Sequence, residues 1–224
     1  MPTINLLKPT PWDTAVFGIN TFELTEYSEA ALQLAATTPG HHTLKVDPLA
    51  DKQLLHHYGF YYCDTLIEPF CEHDDFTPHD HPKAGIDPHP VLDVLMPICH
   101  GAFSHGRFHR DFNLSKDAAD RRYDQWLGQL HEKGQVFSLL FEDDPAGFIA
   151  YEENRLLLHA VAEPCRGKGI AKHLWSAACR ELFSRGHNEL SSSISATNLA
   201  AANLYASLGF RLRNPVDIYH RLQK

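Results

Sequence analysis

The chain has 224 residues, 43% of them hydrophobic, with 28 acidic side chains against 20 Lys and Arg and a formal charge of −8. That length allows one large domain or two small ones with a sizeable core, and the negative balance argues against nucleic acid or an anionic membrane as the main partner. No apolar run reaches the ~18 residues that would predict a membrane span.

The N-terminal residues lack the basic start and apolar core of a signal peptide. The five cysteines, Cys63, Cys71, Cys99, Cys165 and Cys179, are odd in number and lack C-x-x-C spacing, so reduced thiols and a cytoplasmic location are expected. Further along, Asp47-Pro48 predicts a helix start, with Asp as cap and Pro at N1. The helix would run through Leu54-Leu55 to Tyr58-Gly59-Phe60, and an apolar strand, Tyr61 to Phe70, would follow. His73 to Pro90 is rich in Pro, Asp and His and has the composition of a linker. The expected organisation is therefore an N-terminal αβ lobe over residues 1–72, a linker over 73–90 and a main domain over 91–224. Several of the 16 histidines cluster between His73 and His109. A metal site needs converging ligands with a second shell behind them, and a solvated loop supplies neither, so no metal is expected.

After the linker, Val91, Leu95, Ile98 and Ala102 mark one helix, with Asp87-Pro88 near its start. A second begins near Ser115, buries Ala119, Tyr123, Trp126, Leu127 and Leu130, and ends before Gly134. Strands at Val136 to Phe141 and Ala146 to Tyr151 form a hairpin around Glu142-Asp143-Asp144-Pro145. Leu156 to Ala162 reads as a buried strand, and Ile170, Leu174, Ala178 and Leu182 as one face of a helix. Leu190 to Ile194 is a short strand with serines on one face. Asn198 caps a helix with a stripe of Ala201, Leu204 and Leu208, stopped by Gly209, and Val216 to Arg221 is the last strand. Helix, Gly-Phe and strand thus occur twice, at Tyr58-Gly59-Phe60 and Leu208-Gly209-Phe210, as an internal half-copy or as two independent helix stops.

Between the strand at Leu156 and the helix at Ile170 lies Cys165-Arg166-Gly167-Lys168-Gly169-Ile170-Ala171-Lys172. Strand, glycine turn and helix start offer free backbone N–H groups at the positive end of a helix dipole, which suits a phosphate or pyrophosphate. The P-loop spacing is missing, and Lys172 stands where a dinucleotide fingerprint needs its third glycine. Arg/Gln-x-x-Gly-x-Gly/Ala is matched, by Arg166, Gly169 and Ala171. Thirty residues on come Asn198, Tyr205 and Leu208-Gly209-Phe210.

Together these two segments resemble the signatures of the GCN5-related N-acetyltransferases (GNAT). The resemblance implies an α/β (α+β) GNAT acyl-CoA N-acyltransferase fold, with a mixed, mostly antiparallel sheet splayed beside the strand before the turn and a truncated GNAT-like N-terminal lobe. It implies acetyl-CoA as co-substrate, held by Val161, Ala162 and Glu163, by Arg166, Gly167, Lys168, Gly169, Ile170 and Ala171, and by Asn198. In such enzymes Tyr205 would protonate the departing thiolate and a backbone N–H would stabilise the oxyanion. His159 and Glu163 alternate with the buried residues of their strand and are the candidate bases, with ordered water as the alternative.

For the acceptor, Arg107-Phe108-His109-Arg110-Asp111 with Tyr123 beyond it suits an anionic, partly flat ligand. The loop, Tyr123, Trp126 and Trp12…Phe17-Gly18 are similar to the bacterial dTDP-4-amino-4,6-dideoxygalactose (dTDP-fucosamine) N-acetyltransferases. The resemblance implies a nucleotide-linked amino sugar as acceptor. Leu204 departs from that family, which carries a basic residue there. Acetylation of a protein N-terminus or lysine, or of another small amine, stays open, as does a non-catalytic acyl-CoA-binding regulatory protein. A C-terminal strand could pair across a homodimer.

Overall fold

The structure, a computed structural model, describes residues 5–224. In chain order the elements are β1 (Leu7–Pro9), α1 (Pro11–Phe17), β2 (Thr21–Leu24), α2 (Glu29–Thr37), β3 (Gly40–Val46), α3 (Gln53–His57), β4 (Tyr61–Glu72), β5 (Ala84–Asp87), α4 (Leu92–Cys99), α5 (Arg107–Arg110) and α6 (Lys116–Glu132). They continue with β6 (Val136–Phe141), β7 (Asp144–Glu152), β8 (Arg155–Val161), α7 (Ala171–Ser184), β9 (Glu189–Ser192), β10 (Ile194–Ser195), α8 (Leu199–Ser207) and β11 (Arg211–Gln223). No helix among the described residues is long and apolar enough to cross a membrane.

The chain divides into two compact units. One comprises the segment ending at Leu66 with Ser104–Arg122 and Pro215–Lys224, the other Ile67–Phe103 with Tyr123–Asn214. The composition-based boundaries at 72 and 90 do not coincide with these cuts, three of which fall inside β4, α6 and β11 and the fourth between α4 and α5. Residues 73–90 are also not a bare solvated linker. A short 3-10 turn occupies His73–Asp75, and β5 pairs antiparallel with β6, from Ala84 opposite Phe141 to Asp87 opposite Ser138. The His79 N–H donates to Ser176 Oγ at 2.8 Å. Pro, Asp and His mark irregular backbone, but backbone groups that leave water must still be paired.

In the first unit β2 runs parallel to β3, and β1 and β11 lie antiparallel to β2 and β3 respectively. Leu32, Leu44 and Leu55 sit at its core with Phe60 and Tyr219. Each fully buried leucine contributes roughly 1.5–3 kcal/mol relative to exposure. The helix expected from Asp47-Pro48 starts only at Gln53. Asp47 instead accepts the Leu49 N–H at 2.8 Å through Oδ1, which closes a local turn that competes with helix.

In the second unit the order β4-β9-β8-β7-β6-β5 is antiparallel except for the parallel pair β8 and β9. Strand alternation splits its core into two layers. Phe137, Ile149 and Leu156 pack with Leu174, Ala178 and Tyr205 of α7 and α8. Val136, Phe148 and Leu158 pack with Leu95 of α4 and with Leu127 and Leu130 of α6. A bulge sits between the two sets: Ala150 faces Leu158 and Tyr151 faces Leu156, so Leu157 is the extra residue. That insertion reverses the alternation along β8, sending Leu156 and Leu158 to opposite layers.

The two Gly-Phe stops close their helices alike. Phe60 N–H bonds to Leu55 and Phe210 N–H to Tyr205, with Gly59 and Gly209 at φ +72 and +87. Gly134-Gln135 does the same at the end of α6, where Gln135 N–H reaches Leu130. Three copies of one helix stop in differing surroundings favour a recurrent cap over a duplicated unit.

Candidate functional site

The second unit builds a wedge where β8 leaves β9. The parallel register pairs Arg155 with Ser191 and Leu156 with Ser192, while β8 itself continues to Val161. Ser192 Oγ donates to the Leu156 carbonyl at 2.9 Å, at the last paired position. Beyond it the bulge at Leu157 turns His159 toward the α7 and α8 layer, where its ring meets Trp175 edge-on at 5.3 Å.

Tyr205 reaches the same point from α8. Asn198 caps that helix, its side chain accepting the Ala201 N–H at 3.1 Å, as the sequence leads one to expect. Tyr205 lies seven residues on and is wholly buried. Its hydroxyl is 2.9 Å from His159 Nε2, and Ser192 Oγ is 3.4 Å from that same nitrogen. Burial pulls the His159 imidazole down to about 4. Burial also pushes the Tyr205 phenol above its ordinary value, against the Ser192 hydroxyl and Trp175 indole. The pair is therefore neutral near pH 7, a phenol O–H facing an imidazole. Ser192 and Trp175 are members that sequence reasoning does not single out. The serines flagged on one face of their strand are the only signal for the first.

The glycine turn follows β8. Gly167 and Gly169 take φ +72 and +74, and a Cβ at either would meet nothing within 4 Å. Arg166 Nε donates to the Val161 carbonyl at 2.9 Å, tying the turn to the end of the strand. Ile170 is the N-cap residue of α7 and makes no side-chain cap bond. Among the described residues no backbone N–H from Gly167 to Lys172 donates to another main-chain carbonyl. Six donors thus fan out at the start of a 14-residue helix, an arrangement suited to the oxygens of a phosphate or pyrophosphate. Glu163 is exposed on the preceding 3-10 turn, and Ala162 N–H is used by the Ala146 carbonyl.

The residues expected to meet the acceptor divide between the units. Arg107, His109, Arg110 and Asp111 lie in the first and Tyr123 in the second, where Tyr123 stacks on Phe103 at 4.5 Å. Most of the loop side chains have internal partners. Arg110 pairs with buried Asp64 at 3.0 Å and lies over the Tyr62 ring, and His109 Nε2 contacts Asp120 at 2.8 Å. Arg107 lies 4.7 Å above the Phe108 ring.

Asp111 is a hub. Its Oδ2 lies 2.8 Å from His41 Nε2 and 2.7 Å from His220 Nδ1, the Tyr61 hydroxyl donates to both oxygens at 3.0 Å, and Asn113 N–H donates to Oδ1 at 2.8 Å. Burial pushes the carboxyl up, but the two imidazoles hold it well below the usual carboxylate range. His41, Asp111 and His220 have the composition of a metal-ligand set, with ligand atoms all within 4.8 Å. Both nitrogen contacts are at hydrogen-bond length, shorter than the ~3.3 Å separating donors around a tetrahedral ion whose bonds are near 2.0–2.1 Å. The carboxylate is already satisfied by protein donors.

Comparison with known proteins follows this geometry. Residues 103–210 match the model of the Acetyltransferase (GNAT) family. Among solved structures the chain is similar to a GCN5-related N-acetyltransferase from Sphaerobacter thermophilus, at 13% identity and TM-score 0.56, over 86% of this chain and 64% of that one. A GNAT-family acetyltransferase from Colwellia psychrerythraea matches at 13% identity and TM-score 0.59, over 90% and 80%. A glucosamine N-acetyltransferase region of a fungal multi-domain GH3 β-N-acetylglucosaminidase matches at 14% and TM-score 0.58, over 90% of this chain and 30% of that protein. Curated proteins give no match to the chain.

Proposed function

We propose that this chain, whose fold is that of the GNAT acetyltransferases, is an N-acetyltransferase that moves the acetyl group of acetyl-CoA to a primary amine. The observation that carries the reading is the fan of six unpaired N–H groups beside the wedge that holds Tyr205. Pyrophosphate of acetyl-CoA would lie on Gly167 to Lys172, and the pantetheine arm along the edge of β8 that β9 leaves unpaired, beside Val161, Ala162 and Glu163. Asn198, already a cap, would border the cofactor.

The amine attacks the thioester carbonyl within a ternary complex, the C–S bond breaks, and the thiolate takes a proton. In this reading Tyr205 gives it, and the neutral His159 ring, 2.9 Å from the hydroxyl, holds that group in position. His159 is then a positioning group in the ground state, since a ring held near 4 is a weak proton acceptor at pH 7. Glu163 is the exposed alternative as base, acting through water. The acceptor we propose is a nucleotide-linked amino sugar such as dTDP-4-amino-4,6-dideoxygalactose.

Mass spectrometry after incubation with acetyl-CoA tests the substrate, using a panel of nucleotide amino sugars, polyamines and peptides. Acetylation confined to peptides or polyamines would replace the sugar reading. Acetyl-CoA binding with no product on any amine would leave a binding protein. Tyr205→Phe is expected to lower kcat by tenfold or more with the KM for acetyl-CoA nearly unchanged, and an unchanged kcat removes the acid role.

A further inference from the structure

Trp175, in the second turn of α7, is only 2% exposed. Its ring meets the His159 imidazole edge-on at 5.3 Å, and that imidazole meets the Tyr205 ring in the same manner at 5.7 Å. The apolar body of the indole packs in the core with Leu174, Ala178 and Tyr205. Its Nε1, however, has no hydrogen-bond partner among the described residues. A buried N–H left unpaired costs free energy, and a phenylalanine would fill much of the same space without that cost.

The indole nevertheless bears on a polar atom nearby. Alongside the Ser192 hydroxyl it draws the Tyr205 phenol toward ionisation, against the pull of burial. These groups and His159 differ in what they can give to the Tyr205 oxygen. The Ser192 Oγ–H is committed to the Leu156 carbonyl. His159 Nε2, at 2.9 Å, donates or accepts according to its tautomer. An indole N–H is a donor in every state and never an acceptor. Its contribution therefore grows when the phenol loses its proton, since hydrogen bonds to an ionised acceptor are shorter and about twice as strong.

We propose that Trp175 is a positioning residue whose indole N–H closes onto the Tyr205 oxygen as that oxygen becomes a phenolate. This role rests on the acid function given to Tyr205 above. In that step the C–S bond breaks with its electron pair going to sulfur, and the Tyr205 O–H proton passes to the thiolate. The negative charge stays on the Tyr205 oxygen, where the indole N–H meets it. The proton shed by the acylated nitrogen then restores the phenol, so a thiol and an amide leave and the enzyme is unchanged. A bond absent before the step and present during it lowers the barrier without tightening substrate binding.

Two measurements on the full chain test this role, and the first needs no turnover. A trifluorotyrosine placed at position 205 brings the phenol ionisation down toward neutral pH, where fluorine nuclear magnetic resonance follows it in the folded protein. Trp175→Phe in that chain is expected to lower the acid dissociation constant of the phenol tenfold or more, and an unmoved titration overturns the proposal. In the chain with its native tyrosine, Trp175→Phe is expected to cut kcat tenfold or more while the KM for acetyl-CoA stays nearly constant. A loss confined to KM, with kcat kept, marks a packing role and overturns the proposal as well. Should Trp175→Phe not fold, benzothienylalanine at position 175 keeps the bicyclic shape with sulfur in place of the N–H, and the same two results are expected of it. A chain whose titration moves but which acetylates no amine keeps the indole contact and loses the transferase reading; a chain that acetylates amines with an unmoved titration does the reverse.

Discussion

Asp111 gathers two imidazole N–H groups, a phenol and a main-chain amide onto one fully buried carboxylate. Its removal leaves donors with neither protein nor water to accept them. Asp111→Ala is therefore expected to cost about 3–5 kcal/mol, read from chemical denaturation, while Asp111→Asn keeps one acceptor oxygen and costs less. A loss below about 1 kcal/mol for the alanine variant would mean that water replaces the carboxylate. None of this convergence is legible in the string Arg107 to Asp111, which looks like a solvent-facing basic loop. Its partners His41, Tyr61 and His220 are 70, 50 and 109 residues away. Tyr205 is the opposite case. Its place relative to Asn198 and Gly209 is local, so its helix and cap are readable, yet the contact with His159, 46 residues off, is not.

Elements followed local chemistry wherever their ends were capped within the segment. Asn198 and Gly209 bound α8 as expected, and Glu142 and Asp143, at φ 56 and 67, make the tight hairpin between β6 and β7. Asn198→Ala removes the acceptor of the Ala201 N–H and should lower stability by about 1 kcal/mol. A thermal midpoint equal to wild type would show that another group caps the helix. Gly209→Ala should be worse, since φ +87 is strained for alanine and its Cβ would run into the Asp75 carbonyl. Asp47-Pro48 shows the limit of such reading: the same cap residues serve a turn when the following side chains pack elsewhere. The bulge at Leu157 is likewise silent in sequence, because leucines on both sides give no alternation to break.

For the molecule as a whole, two buried histidines set the response to acid. His159 and His220 are each held near 4 by burial, below the ordinary value of about 6.5. In the unfolded chain both take up protons first as pH falls, so unfolding is favoured by acid. Stability is complete above about pH 6.5 and is lost progressively toward pH 4, by on the order of 3 kcal/mol for His159. The urea midpoint should fall across that window, less so in His159→Gln; a flat profile from pH 7 to 4.5 would contradict the burial. Acetyl-CoA at a hundredfold excess over its Kd should raise stability by about 2.7 kcal/mol, visible as a higher Tm that Gly169→Val removes.

The sequence by itself determined the order of the C-terminal half: hairpin, strand, glycine turn, helix, short strand, capped helix and final strand. It also placed the turn and Tyr205, because each depends on residues within a few positions of one another. Tertiary structure alone decided how the chain divides into units and that residues 73–90 are paired. It also decided that His159 faces Tyr205 through a bulge, and that Asp111 turns inward to His41. Those outcomes come from long-range pairing of buried polar groups, whose partners are chosen by burial and not by neighbourhood in the chain.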